Sequence, residues 1–435
     1  MRLFDLIAVL LVLTALLSYL NHRWLRLPTT IGLMALTLVL SVMVVIAGEF
    51  HPPLAQHADA VVQQLDFDDV LLHGMLGFLL FAGALHINLN DLAERRASIA
   101  LLATLGVLIS TGVVAGLTWC IMQLLGIEMR FIYCLLFGAL ISPTDPIAVL
   151  GLLKKIGAPK ALEIKIAGES LFNDGMGVVV FLGLLEIATG QHGFDLGHLS
   201  LLFLQEAVGG ALFGLAIGYL VFVLLRSVDN YQVEIMLSLA LVAGGYAAAE
   251  ALHLSAPIAM VVAGLLIGNH GRSLAMSPAV CEHLDTFWEL IDEILNAILF
   301  VLIGLEVLIV TFTGQYLLAG LLAIGVVLLA RLAAVSLPIY ALHLRRPFDK
   351  YTVRILAWGG LRGGISVALA LSLPDVPERE VILIITYVVV VFSILVQGLT
   401  IGPLVQHWLA KPEPAAVLAE ADEPPAADAA PESTG

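Results

Sequence analysis

The sequence LISPTDPIAVLG, residues 140–151, lies in one of the most apolar parts of the chain, yet it carries Pro-Thr-Asp-Pro in a row. Proline has no backbone N–H and disfavours helix at the residue before it, so a helix should unwind around Thr144 and Asp145. Irregular backbone at membrane depth is tolerated only inside protein or beside a water-filled cavity. A proline kink with a buried, protonated aspartate is the simpler alternative, but two prolines that bracket Thr-Asp favour an interrupted helix.

The composition identifies the surroundings of this stretch. Of the 435 residues, 60% are hydrophobic and 13% are charged, and the mean hydropathy is +1.01, whereas soluble domains carry about 25% charged residues. Apolar runs long enough to cross a bilayer recur along the chain, without the alternation of a membrane β-barrel. We therefore predict an all-α polytopic membrane protein of about 13 transmembrane helices. In order, the predicted spans cover residues 3–20, 29–47, 70–87, 97–125, 130–153, 165–187, 199–225, 232–252, 256–268, 285–311, 315–343, 352–372 and 380–409.

Lysine and arginine are distributed unevenly between the predicted loops. With the N-terminus placed outside, fifteen of the twenty lie in loops on the inside, and Arg2, Arg130 and Arg379 lie outside. Arg331 and Arg362 fall within spans. The bias follows the positive-inside rule. It predicts an odd number of spans, with an outside N-terminus and a cytoplasmic C-terminus.

From residue 412 onward the chain is rich in proline, alanine and acidic residues and has little to bury. Residues 412–435 are therefore predicted to be a disordered, acidic cytoplasmic tail, and residues 1–411 to be the membrane domain. The tail supplies part of the formal net charge of −15, to which we attach neither nucleic-acid binding nor catalysis. Three scattered cysteines indicate neither a disulfide framework nor a metal site.

Ionisable side chains in the middle of a predicted span cost at least about 2.5–3.5 kcal/mol each to insert, so they are functional candidates. They are Asp145 in span 5, Glu169 and Asp174 in span 6, Glu306 in span 10, Arg331 in span 11 and Arg362 in span 12. Arg331 needs an acidic partner, because an isolated guanidinium is implausible in lipid, and we predict that partner to be Glu169. Glu306 is the weaker candidate, since it lies toward the outer end of its span and is expected to reach the interface.

Span 6 contains GESLFNDGMGVVV, residues 168–180. Ser170 and Asp174 are four residues apart and share a helix face, and Glu169 and Asn173 share the adjacent face. One face thus offers oxygen ligands for a hard cation, and the other offers an acid and an amide for internal pairing. A polar seam between packed helices is the alternative, but a seam does not need two carboxylates.

Span 12 contains WGGLRGGISVALALS, residues 358–372, in which four glycines surround Arg362. Each glycine lowers helix stability by about 1 kcal/mol relative to alanine, so we predict a second interrupted helix; glycines that only permit close packing are the alternative. Spans 5 and 12 take corresponding places if spans 1–6 and 8–13 form two inverted six-helix repeats. Crossed interrupted helices at matching positions indicate the midplane ion site of a transporter.

Together these motifs resemble one known family. SPTDPIAV in span 5, GESLFNDG in span 6, FWELIDEILNAILFVLIG (287–304) and WGGLRGG in span 12 are similar to segments of the bacterial sodium/proton antiporters of the NhaP type. That type belongs to the cation–proton antiporter family that includes the animal exchangers. The resemblance extends from span 1 to about Lys411.

The resemblance implies a set of site residues. The transported sodium ion and the proton would bind at Asp174, Asp145, Ser170 and the backbone carbonyl of Thr144, with Asn173 as the neutral partner of Asp174. Glu169 and Arg331 would form a structural ion pair. Arg362 would serve the unwound crossing, for example by neutralising a carboxylate there. No cofactor is implied.

The resemblance also implies a homodimer in the bacterial inner membrane, with two parts in each protomer. A transport core would contain spans 4–6 and 11–13, about 97–187 and 315–409. A dimer-interface part would contain spans 1–3 and 7–10, about 3–87 and 199–311. The core would move against the interface part and expose one site to each side in turn.

Competition at the two carboxylates gives a mechanism for exchange. Neighbouring carboxylates in a low-dielectric site repel each other, and either a proton or a small cation relieves the repulsion. If the empty, doubly charged core crosses reluctantly, only loaded forms change sides and the result is antiport. Asn173, where electrogenic relatives carry a second aspartate, implies electroneutral exchange of one proton per cation.

Several alternatives stay open at this point. Sodium or lithium is the expected cation, and potassium is the alternative. The sequence does not decide whether His73 or His86 in span 3 senses pH. An ion channel is disfavoured because crossed broken helices occlude the centre. A membrane enzyme is disfavoured because no soluble domain, nucleotide loop or set of metal-ligand histidines accompanies the carboxylates.

Overall fold

The described part of the chain is almost entirely helical. The computed structural model describes residues 3–51, 67–190, 197, 204–308, 313–343 and 350–409. Within these ranges the β-type pairing is limited to an isolated antiparallel bridge between Asp145 and Leu361. The predicted tail and most of residues 48–69, which connect predicted spans 2 and 3, lie outside the described residues. This architecture confirms the prediction of an all-α membrane protein.

Seventeen helices longer than a single turn lie within the described residues. In chain order they are α1 (Leu3–Leu20), α2 (Thr29–Phe50), α3 (Leu76–Leu85), α4 (Leu89–Leu101), α5 (Val107–Leu125), α6 (Phe131–Ile141), α7 (Ile147–Ile156), α8 (Lys160–Ala188), α9 (Gly209–Leu225), α10 (Tyr231–Ala251), α11 (Ala256–Leu266), α12 (Pro278–Glu306), α13 (Gly314–His343), α14 (Lys350–Trp358), α15 (Gly364–Leu371), α16 (Pro377–Phe392) and α17 (Gly398–Leu409). Single helical turns cover Phe67–Asp69 and Arg272–Leu274. Short π-helical segments cover Asn21–Leu25, Val70–Met75, Leu102–Gly106, Leu204–Val208, Ile267–Gly271 and Ser393–Gln397.

Nine of the described helical segments are long and apolar enough to cross a membrane. They coincide with predicted spans 1–4, 6–8, 11 and 13. The other four predicted spans correspond to helices of a different kind. Spans 5 and 12 are interrupted, span 9 is the short α11, and span 10 is α12, whose first half is rich in acidic residues. The total of thirteen spans and the inverted repeats therefore stay predictions.

The fourth apolar segment begins earlier than the sequence predicts. The side-chain oxygen of Asn88 accepts hydrogen bonds from the backbone N–H groups of Asn90 (2.8 Å) and Asp91 (3.4 Å), which is the bonding of a helix N-cap. The helix consequently starts at Leu89 rather than near residue 97, and continues through α5. Its first two turns are polar, so hydropathy alone did not detect them.

Both predicted interruptions are present, and they touch. Residues 142–146 separate α6 from α7, and residues 359–363 separate α14 from α15. The backbone N–H of Asp145 donates to the carbonyl of Leu361 (2.8 Å). Non-helical backbone from the two halves of the chain is therefore joined at one point inside the protein.

Two large apolar clusters hold the helices together. The first includes side chains of α1, α2, α5–α8 and α12–α17. The second joins α3, α9, α10 and α11 to the first half of α12 around Trp288. The indole N–H of Trp288 donates to the Ser238 hydroxyl (3.0 Å), which satisfies this buried donor. Large apolar side chains on α1, α2, α9 and α13 point outward, as expected of surfaces in contact with hydrocarbon.

Candidate cation site

Thr144 is held in the first interruption by side chains of α8. Its backbone N–H donates to Asn173 Oδ1 (3.3 Å), and Asn173 Nδ2 donates to its hydroxyl (2.8 Å). The hydroxyls of Thr144 and Ser170 lie 3.0 Å apart. All three side chains are buried. Helix α8 thus supplies partners for polar groups that the prolines exclude from helical bonding.

Asp145 and Asp174 line one cavity of about 630 Å³. Asp145 Oδ1 accepts a hydrogen bond from the backbone N–H of Ile147 (2.9 Å) at the start of α7. Asp174 is buried in α8, and the charge of Asp145 acts on it. A Cβ atom on Gly363 would lie 2.7 Å from Asp145 Oδ2, so glycine allows the second interruption to approach this carboxylate. Two carboxylates from different elements therefore face a shared space.

The cavity extends from these carboxylates to one end of the interrupted helix. There it is lined by Lys154, Lys160 and Asp91, and Lys160 pairs with Asp91 (3.5 Å). At the opposite end of the same helix, Arg130 Nε donates to Glu378 Oε1 in the first turn of α16 (2.6 Å). The site is accordingly connected to the end that carries Lys154, while an ion pair joins α6 to α16 at the other end.

Arg362 lies buried in the second interruption. Its Nη1 donates to the carbonyls of Ser142 (2.5 Å) and Pro143 (2.9 Å), and its backbone N–H donates to the Ser393 hydroxyl (2.9 Å). These guanidinium bonds go to carbonyls rather than to the carboxylate that the sequence expectation gave as an example. The carbonyls follow the C-terminal end of α6, where backbone acceptors lack helical donors and positive charge is favourable.

Arg331 of α13 donates through Nη1 to Glu169 Oε1 of α8, and both side chains are buried. Its Nε and Nη2 also donate to the carbonyl of Leu356 (3.2 and 3.1 Å), near the end of α14. One guanidinium therefore joins three helices. The contact with α14 has no signal in the sequence, because it depends on where the second interruption places a backbone oxygen.

Glu306, the weaker candidate partner for Arg331, lies elsewhere. It is only 4% exposed, so the expectation that it reaches the interface is wrong. It lies close enough to Arg379 and Tyr387 to interact with them electrostatically. The cause is that α2 packs against the end of α12 that hydropathy had placed at the surface, where the Ser41 hydroxyl donates to the Gly304 carbonyl (2.8 Å).

Two polar residues of the last apolar segment were missed by the sequence reasoning. The Ser393 hydroxyl donates to Gln397 Oε1 (2.8 Å), and Gln397 Nε2 donates to the carbonyl of Trp358 (2.9 Å). They support the second interruption, since Ser393 also accepts from the backbone of Arg362. A serine and a glutamine four residues apart in an otherwise apolar run were the available signal.

The two histidines of span 3 occupy different places. His73 contacts Asp69 (2.9 Å) and Glu250 (3.4 Å) and is exposed. His86 Nδ1 lies 2.9 Å from the carbonyl of Ala82, and its ring lines the cavity. A role in pH sensing stays a prediction for both.

The chemistry of the site is that of oxygen ligands. Within the described residues, no group of three or more histidine, cysteine, aspartate or glutamate side chains could hold a metal ion. Carboxylate, hydroxyl and carbonyl oxygens suit hard cations rather than transition metals. The two carboxylates are also the groups that could accept a proton in the same space.

Sequence comparisons place this arrangement among known proteins. A family model described as "Sodium/hydrogen exchanger, transmembrane" matches residues 11–407. The chain is 54% identical over 411 residues to the Na(+)/H(+) antiporter NhaP of Pseudomonas aeruginosa, covering 93% of this chain and 96% of that protein. It is 34% identical over 390 residues to the Na(+)/H(+) antiporter NhaH of Halobacillus dabanensis, covering 88% and 93% of the two chains.

A solved structure shows the same fold. The sodium proton antiporter MjNhaP1 from Methanocaldococcus jannaschii at pH 8 superposes with a TM-score of 0.70 at 19% identity, covering 94% of this chain and 100% of that chain. The family model and the two sequence relatives each account for most of the chain. The chain therefore belongs to the transmembrane sodium/hydrogen exchanger family.

Proposed function

We propose that this protein is a secondary active antiporter that exchanges sodium or lithium ions for protons, and that cation and proton compete for Asp174 and Asp145. The observation that carries the proposal is the meeting of these two carboxylates at one cavity. Neither nearby guanidinium group forms a hydrogen bond with these carboxylates in the described residues, since Arg331 bonds Glu169 and Arg362 bonds backbone carbonyls through Nη1. A cation or a proton is then the species available to relieve the repulsion between the carboxylates.

The remaining ligands come from the first interruption and from α8. We assign the Ser170 hydroxyl and the Thr144 carbonyl to the cation, because the two residues meet at 3.0 Å through their hydroxyls beside the carboxylates. Asn173 acts by positioning Thr144, to which it makes two hydrogen bonds. It carries no charge of its own, which favours electroneutral exchange of one proton per cation.

The geometry supports one stage of alternating access. Under the predicted topology, the cavity mouth at Lys154 and Lys160 is cytoplasmic, and the Arg130–Glu378 pair closes the outer end. In the reverse state this pair separates and the cavity mouth closes. We place the protein in the bacterial inner membrane as a homodimer, with the core of spans 4–6 and 11–13 moving against the remaining spans. The transport needs no cofactor and no covalent chemistry.

Potassium/proton exchange could use the same oxygen ligands. The relatives described above are named for sodium, so nothing in them favours potassium. Sodium is therefore the cation to test first, with lithium and potassium alongside it.

Exchange in proteoliposomes tests the proposal, with cation titrations repeated over a pH series. If proton and cation share one site, the apparent affinity for the cation improves as pH rises, because fewer protons occupy the carboxylates. It levels off once the site is free of protons. Coupled flux also falls at strongly alkaline pH, where the proton-carrying return step is starved, so the activity profile is bell-shaped.

An apparent affinity for the cation that stays constant across the active pH range would reject competition and indicate a separate proton path.

Dissipation of the membrane potential with a permeant ion serves as the test of stoichiometry. One-for-one exchange is unaffected by it, whereas electrogenic exchange changes in rate.

A further inference from the structure

One face of α12 lines the cavity of the candidate site from the protein surface inward. Glu289, Asp292, Glu293 and Asn296 all line that cavity, at the three- and four-residue spacing of a single helix face. Glu289 and Glu293 are exposed, Asp292 is half-buried and Asn296 is buried. The face therefore changes from exposed carboxylates at the mouth to a buried amide at depth.

Asn296 is the unusual member of this face. Its side chain is only 3% exposed, and its amide lies beside the carboxyl group of Asp292 one turn earlier. The N–H side of this amide is the one that interacts with the Asp292 carboxylate, whereas Oδ1, which needs a donor or a cation, has no partner among the described residues. Buried amides are nearly always hydrogen-bonded, and an exception calls for a reason such as a bound ion or water.

A second buried oxygen lines the cavity from another helix. Ser366 of α15 is buried, and its hydroxyl likewise has no hydrogen-bond partner among the described residues. It lies two residues after the start of α15, the helix that follows the second interruption. Two helices thus present unsatisfied oxygen atoms to one space.

The charged groups that act on Asp292 are all carboxylates, although Lys154 and Lys160 line another part of the same cavity. Asp292 interacts electrostatically with Glu289 and Glu293 on its own helix and with Asp145 of the first interruption. Carboxylates gathered in this way repel one another, and the repulsion grows as the surroundings become less polar. A cation located between them would relieve the repulsion and would also give the Asn296 oxygen a partner.

We propose that Asp292 and Asn296 form a second cation site. An alkali ion is held there between the cavity mouth and the Asp174–Asp145 site. The Asp292 carboxylate and the Asn296 Oδ1 are its protein ligands, and the Ser366 hydroxyl receives the ion as it moves inward. Water supplies the remaining ligands, because the cavity is wide. This inference rests on the proposed function, since it describes the path to that site.

The test compares cation titrations from the two faces of the membrane, in inside-out and right-side-out vesicles containing the full-length protein. For sodium supplied at the cavity side, Asn296→Ala raises the apparent KM by about threefold to tenfold, the range expected for one lost polar contact. Maximal flux at saturating sodium is kept. Asn296→Asp retains an oxygen ligand and keeps a low KM. Glu282→Gln, at an exposed position of the same helix outside the cavity, is the matched control.

An unchanged KM for sodium, or an equal change of KM from both faces of the membrane, would overturn the proposal of a second cation site. So would variants that alter only the melting temperature, because that result is expected of a buried amide with a structural role alone. If Asn296→Ala does not fold, Asp292→Asn at its half-buried position gives the same test. Asp174→Asn in the same vesicles separates the two proposals. Normal exchange by that variant refutes the proposed function. If Asp174→Asn is inactive and Asn296→Ala is unaffected, only the second cation site is refuted.

Discussion

Removal of Arg331 is expected to destabilise the protein more than removal of any exposed arginine. Glu169 and Arg331 are only 1% and 7% exposed, so Arg331→Ala leaves a buried carboxylate without its guanidinium. Breaking a buried pair in this way costs about 3–5 kcal/mol. The Leu356 carbonyl also loses both of its donors from Arg331. The end of α14 is therefore weakened together with the contact between α8 and α13.

This cost can be expressed as a melting temperature. An unfolding entropy of about 2.1 cal/mol/K per residue over 435 residues converts about 3–5 kcal/mol into a shift of about 3–6 °C. Thermal melting of the purified protein in detergent measures it. Arg354→Ala, at an exposed position of α14, is the control and should melt within about 1 °C of the unmodified chain, as surface changes usually do.

A double-mutant cycle decides whether the effect belongs to the pair. If Glu169 and Arg331 stabilise each other, Glu169→Leu with Arg331→Met is less destabilising than the sum of the two single changes. The reasoning is refuted if Arg331→Ala melts like the unmodified protein. It is refuted equally if the two changes add, because each residue would then act through other contacts.

Three further outcomes follow from the geometry. Asp174→Asn is expected to abolish sodium-coupled proton movement in proteoliposomes while the protein keeps its melting temperature to within a few degrees; normal exchange by a correctly inserted variant would remove Asp174 from the site. Gly360→Ala is expected to lower both the melting temperature and exchange, because its Cβ would lie 2.4 Å from Arg331 Nε, whereas Gly325→Ala has open space and should be harmless. Gln397→Leu deprives the Trp358 carbonyl of its donor and should cost about 1–3 kcal/mol, measured by thermal melting; an unchanged melting temperature would show that the second interruption does not depend on this bond.

The sequence predicts the interruptions because their causes are local. Prolines at 143 and 146 remove backbone donors, and the glycines around Arg362 weaken helix, so each break could be placed without knowledge of its neighbours. The same holds for the helix face shared by Ser170 and Asp174, which follows from a spacing of four residues. Their assignment to ion binding stays a prediction.

The hydrogen-bonding partners of these groups could not be predicted from the local sequence. The guanidinium of Arg362 goes to carbonyls whose position is set by the shape of the first interruption, more than 200 residues earlier. Hydropathy also missed the Asn88 cap, because that signal lies in a polar turn, and it placed Glu306 near the surface without the helix that covers it. Long-range packing decides each of these points, and a single sequence carries little information about it.

The bond between Arg362 and the first interruption has a consequence for how the chain is made. The carbonyls of Ser142 and Pro143 receive their donor from a residue 220 and 219 positions later. At about 5–20 residues per second, the ribosome takes roughly 10–45 s to reach it. During that interval the first half is already in the membrane with an unfinished centre, so water or another temporary partner must satisfy those oxygen atoms. A nascent chain stalled before Arg362 should therefore be more readily extracted and degraded than one stalled shortly after it.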